Sequence, residues 1–79
     1  MEGVKADAVL DCKGVLCPMP VIRISQAIKT IGVGQILEMQ TTDPGSLPDI
    51  EAWTKHTGHE LLSSRETNGI FTFHVRRQR

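Results

Sequence analysis

The chain has 79 residues, which fits one domain of about 100 residues or fewer and leaves no room for a multi-site, two-domain enzyme. Nine Lys and Arg balance nine Asp and Glu, so retention of nucleic acid by overall charge is disfavoured, although a local basic patch is still allowed. A hydrophobic fraction of 39% with seven glycines is globular rather than disordered, with a thin core that favours a surface site over a deep pocket.

Residues 7–12 read as a first strand running into Lys13-Gly14. From Pro18 to Ile31, Val21, Ile24, Ala27, Ile28 and Ile31 recur at three- and four-residue spacing, with Arg23, Gln26, Lys29 and Thr30 opposite. This is the pattern of an amphipathic helix. Pro18 and Pro20 suit its first turn, and Gly32 and Gly34 its end. A second strand is expected over 35–42, with Ile36, Glu38 and Gln40 on one side and Leu37, Met39 and Thr41 on the other. Asp43-Pro44-Gly45 forms a turn, and Ser46 is expected to cap a second helix, with Pro48 in its first turn and Asp49 and Glu51 favouring its positive end. Leu47, Ile50 and Trp53 supply the buried stripe, and Gly58 ends the helix. Residues 59–66 form a third strand, Asn68-Gly69 a tight hairpin turn, and Ile70 to Val75 a fourth strand. The order β-α-β-α-β-β predicts an α/β two-layer sandwich, a mixed four-stranded sheet with two helices on one face.

Two cysteines cannot staple a small secreted scaffold. No apolar run suits a signal or a membrane span, so the expected location is cytoplasmic. Cys17 stands just before the first helix, in Gly14-Val15-Leu16-Cys17-Pro18-Met19-Pro20. The unpaired amides and positive dipole end of a helix start stabilise a thiolate, and the two prolines stiffen the loop that aims it. Cys17 is therefore the candidate nucleophile, against the alternative of a small buried hydrophobe. Cys12 alternates onto the strand face of Leu10, where a core role is the better reading. A Cys12–Cys17 disulfide is conceivable, though the spacing is not Cys-x-x-Cys. His56, His59 and His74 lack regular ligand spacing and read as solvent-facing, so no metal site is expected. No phosphate loop, nucleophile elbow or aromatic platform is present in the sequence, and no cofactor is expected.

The segment Leu10-Asp11-Cys12-Lys13-Gly14-Val15-Leu16-Cys17-Pro18-Met19-Pro20 resembles the Leu-Asp-x-x-Gly-x-x-Cys-Pro-x-Pro signature of the TusA/SirA family of small sulfur carriers. The resemblance extends through Gly34, Thr42-Asp43-Pro44, Asp49-Ile50, Trp53, Gly58-His59 and the final hairpin. It implies a single sulfur-carrier domain over 1–79 and a sulfurtransferase activity in which Cys17 bears a persulfide. The sulfur would come from a cysteine desulfurase or a rhodanese-type donor and pass to a later carrier, with DsrE-type proteins among the candidate transfer partners. By position, Asp11, Gly14, Pro18 and Pro20 would shape the Cys17 loop, as would Asp43, a recurrent family acid after the second strand. Lys13, Met19 and Arg23 are candidate partner contacts. Met19 occupies the place of a glutamate in members that serve tRNA thiolation, and Ser25 and Gln26 replace a basic pair, so tRNA is expected as an indirect partner at most.

Two other classes of function are compatible with the sequence. A thiol switch would require both Cys12 and Cys17, whereas a carrier requires only Cys17. A nonenzymatic regulatory or RNA-binding module would show salt-dependent binding independent of Cys17.

Overall fold

A computed structural model describes residues 6–15 and 19–79. Strand β1 spans Ala8–Cys12, helix α1 Met19–Ala27, β2 Ile36–Thr41, α2 Ser46–Thr57, β3 Glu60–Thr67 and β4 Ile70–Arg76. The sheet order is β1-β2-β4-β3. β1 pairs parallel with β2, while β2 with β4 and β4 with β3 are antiparallel. The expected mixed sheet with two helices is therefore present.

The two central strands build the core because their inward positions alternate with polar ones. Leu37 and Met39 on β2 and Phe73 and Val75 on β4 are buried, and Ile24, Ile50 and Trp53 from the helices close over them. Glu38, Gln40, Thr72 and His74 fall on the opposite, open face.

Three local expectations are corrected. The first helix does not run to Ile31: α1 ends at Ala27 and a 3-10 turn follows over Ile28–Thr30. This tighter winding keeps Ile28 and Ile31 buried in the core. Ser46 does not cap α2 but is its first residue, after Gly45. Its hydroxyl lies 2.6 Å from that of Thr41 and donates to the Asp43 carbonyl at 2.6 Å. A buried pair of hydroxyls thus satisfies each other instead of an amide of the helix. Among the acids, only Asp49 falls in the first turn of α2.

The punctuation at the other ends is as expected. Gly58 is left-handed at φ 84° and donates its amide to the Thr54 carbonyl at 2.9 Å. Asn68 and Gly69 have φ of 53° and 81°, the double left-handed pair of a type I′ hairpin turn.

Candidate functional site

Both parallel strands end on the same side of the molecule. Cys12 at the end of β1 faces Thr41 at the end of β2, so the loop after β1 and the turn after β2 are neighbours. Both helices also start there, and their first-turn amides give this end a partial positive charge.

The loop after β1 is tied down at successive residues. The Lys13 amide donates to Asp11 Oδ1 at 3.0 Å, and the Gly14 amide to Thr42 Oγ1 at 2.9 Å. The Val15 amide closes a turn onto the Cys12 carbonyl at 3.1 Å. Gly14 has φ +80°, a conformation costing about 1–2 kcal/mol for an L side chain. Beyond these bonds, Lys13 Nζ donates to Gln40 Oε1 at 3.2 Å. Cys17 and Pro18 lie outside the described residues. The chain resumes at Met19, the first residue of α1, followed by Pro20, which is fully buried. Proline at this point removes an amide that a helix start leaves unpaired in any case.

Asp43 sits in the adjacent turn after β2. Its Oδ1 accepts the Gly45 amide at 3.1 Å, and its carbonyl accepts the Ser46 amide at 3.0 Å. The carboxylate thus shapes the entry to α2, on the same end of the sheet as the Gly14 loop.

Beside the loop, α1 and β1 bound an open groove of about 550 Å³ whose lining includes Leu10, Met19, Ile22, Arg23 and Gln26. Met19 is 40% and Ile22 43% exposed, so two large apolar side chains stand in water next to a guanidinium.

Cys12 is a free thiol with 0% exposure. Burial pushes its pKa above the usual thiol value, with Arg23 opposing and Asp11 adding to the rise. A thiol in that state is a weak nucleophile.

The histidines depart from the expected solvent-facing picture. His56 is exposed. His59 lies against Trp53 with ring centroids 5.4 Å apart, and its Nδ1 accepts the Gln78 amide at 3.1 Å. Burial lowers its pKa, reinforced by Arg77 and Arg79. His74 is held between Glu38 and Ser63. No group of three or more metal-ligating side chains occurs among the described residues, and none of their helices is long and apolar enough to cross a membrane.

Thr42 and Gln40 are the two loop anchors that the residue pattern does not single out as site residues. The signal for both is the β1–β2 register, which sets them beside Gly14 and Lys13 across 28 and 27 positions of chain.

The fold is a two-layer α/β sandwich whose loop after the first strand is braced by bonds from Lys13, Gly14 and Val15. The family model described as sulfurtransferase TusA matches residues 8–77, and the chain belongs to that family. Bacillus subtilis YrkI, named as a candidate sulfur carrier protein, is 42% identical over 73 residues, covering 92% of this chain and 97% of that protein. The sulfur carrier protein TusA of Allochromatium vinosum is 39% identical over 71 residues, with 90% and 93% of the two chains covered. The crystal structure of a SirA-like protein from Desulfitobacterium hafniense superposes with a TM-score of 0.79 at 22% identity, covering 91% of this chain and 99% of that one. That likeness establishes the shared fold.

Proposed function

We propose that this protein is a sulfur carrier that takes up sulfane sulfur as a persulfide on Cys17 and passes it to a second protein. Relatives named as sulfur carriers support the role. The observation that carries the assignment to Cys17 is the state of the other cysteine: Cys12 is fully buried with a raised pKa, which leaves Cys17 as the remaining thiol of the sequence. The same observation weighs against a Cys12–Cys17 thiol switch, because an inaccessible, protonated thiol neither attacks nor is attacked readily.

Uptake is a thiolate exchange. The Cys17 thiolate attacks the outer sulfur of a donor persulfide, the donor S–S bond breaks, and the donor cysteine leaves as a thiolate. Delivery is the same step reversed: an acceptor thiolate attacks the outer sulfur and Cys17 is released. Electrons and sulfur balance in both directions without a cofactor or metal. Asp11, Gly14, Thr42 and Lys13 act as positioning residues by bracing the loop that leads to Cys17, with Asp43 shaping the neighbouring turn and Pro20 stiffening the helix entry. Exchange needs close approach of two proteins, and a shallow groove with Met19, Ile22 and Arg23 at its surface suits an apolar contact flanked by an acid. Cysteine desulfurases and rhodanese-type proteins are the proposed donors, and DsrE-type proteins are proposed acceptors. Exchange of this kind fits the cytoplasm, where thiols stay reduced.

Intact mass spectrometry after incubation with a cysteine desulfurase and cysteine, or a rhodanese and thiosulfate, tests the proposal. A reducible gain of one sulfur atom is expected in wild type and Cys12→Ser and not in Cys17→Ser. Sulfur retained by Cys17→Ser, or no gain from either donor, overturns it.

A further inference from the structure

The open face of the sheet carries a second set of chemically matched side chains, on β2, β3 and β4. Glu38 on β2 and Ser63 on β3 are both register partners of His74 on β4, so the three lie side by side across three strands. His74 Nε2 is 3.1 Å from Glu38 Oε1, and His74 Nδ1 is 3.0 Å from Ser63 Oγ. The His74 and Glu38 side chains are only 17% and 22% exposed, which limits competition from water.

A carboxylate accepts and does not donate, so His74 donates from Nε2. In the tautomer whose single ring proton is on Nε2, the lone pair is on Nδ1, and Ser63 donates its hydroxyl proton to it. Glu38 is itself oriented, because its second oxygen accepts Gln40 Nε2 at 2.8 Å. A hydroxyl bonded to a basic nitrogen, with that base oriented by a carboxylate, is the arrangement that activates serine nucleophiles, and it is recognised by roles rather than by sequence order.

A backbone irregularity falls at the same place. The register of β3 on β4 shifts between Leu61 and Ser63, which leaves Leu62 without an opposite residue. Such bulges take one residue off the ladder and re-aim the neighbouring side chain. β3 is also an edge strand, so a reactant can approach Ser63 from the side of the sheet.

We infer that Ser63, His74 and Glu38 form a second reactive centre in which Ser63 accepts the acyl group of small activated esters. Ser63 Oγ attacks the carbonyl carbon and gives its proton to His74 Nδ1. The ester C–O bond breaks, and the departing oxygen takes that proton. Water then releases the acyl group as the acid by the same path.

Diisopropyl fluorophosphate is a suitable probe, because attack forms Oγ–P, breaks P–F, and releases fluoride and the serine proton to solvent. One adduct on the Ser63 peptide is expected in wild type and in Cys17→Ser, and none on that residue in Ser63→Ala. Labelling should slow by about 100-fold in His74→Gln, the general-base contribution, and by less in Glu38→Gln, with folding verified by amide NMR spectra. The neighbouring Ser64, which pairs with Phe73 instead, serves as the internal control. No adduct on Ser63, equal labelling of Ser64, or an unchanged rate in folded His74→Gln would refute the inference.

Discussion

Replacing Cys17 with serine leaves Cys12 as the sole thiol of the chain, and its reactivity reports directly on where the structure puts it. With 0% exposure, Cys12 meets a reagent only when the end of β1 opens. Marginal stability of about 0.05 kcal/mol per residue, the low end for folded domains, gives ~4 kcal/mol for this chain. At 1.4 kcal/mol per factor of ten, opening of the whole domain would then slow the reaction about 10³-fold relative to the unfolded chain. β1 is an edge strand, so partial opening can reduce this protection, while the raised pKa works in the other direction by depleting the thiolate. The assay is the rate of colour development with a disulfide reagent such as DTNB in native buffer, compared with concentrated guanidinium chloride at the same pH. Slowing of at least about 100-fold, some 2.7 kcal/mol of protection, is expected. Reaction within a few-fold of the denatured rate would place Cys12 at an accessible surface. It would remove the argument that singles out Cys17 and restore the two-cysteine switch.

Four further outcomes follow from particular residues. Thr42→Val removes the acceptor of the Gly14 amide and is expected to cost about 1 kcal/mol in urea unfolding, with slower sulfur loading in the mass assay. Gly14→Ala should cost ~1–2 kcal/mol from its positive φ. Unchanged loading in both variants would mean that the brace does not position the cysteine. Because His59 has a lowered pKa in the folded state, the unfolded chain binds the proton first as pH falls. Stability from this group is complete above the unfolded value of about 6.5 and is lost as pH falls from there through the folded value. His59→Gln should flatten that part of the stability–pH curve, and an unaltered slope would contradict the assignment. Phe73→Ala, at a fully buried site on a central strand, should cost about 3–5 kcal/mol by thermal or urea unfolding. A loss below ~1 kcal/mol would show that the core is not centred there.

Much of the architecture was legible in the chain because periodicity and punctuation are local properties. Alternation over Leu37, Met39 and Thr41, the three- and four-residue spacing around Ile24, and Asn68-Gly69 each specify a conformation without reference to distant residues. Two local preferences give way to packing. Ser46 has the chemistry of a cap, yet burial against Thr41 draws its hydroxyl to another hydroxyl and to the Asp43 carbonyl. The apolar spacing through Ile31 continues past the α-helix, because a 3-10 turn can also keep such residues inward over a short span.

The sequence by itself determined the order of elements, the alternation that sets Leu37 with Met39 and Phe73 with Val75 on one side of their strands, and the place of Cys17 before the first helix in the chain. Strand pairing across long separations was left to the tertiary structure. Register alone sets Thr42 beside Gly14, Gln40 beside Lys13, and Glu38 and Ser63 on either side of His74. The contacts of Thr42, Gln40 and Glu38 connect residues 27 to 36 positions apart in the chain, so no local pattern encodes them, whereas the Ser63–His74 pair follows from the register of the Asn68-Gly69 hairpin. They exist because burying one face of each strand fixes its alignment, and that alignment then dictates which polar side chains meet on the other face.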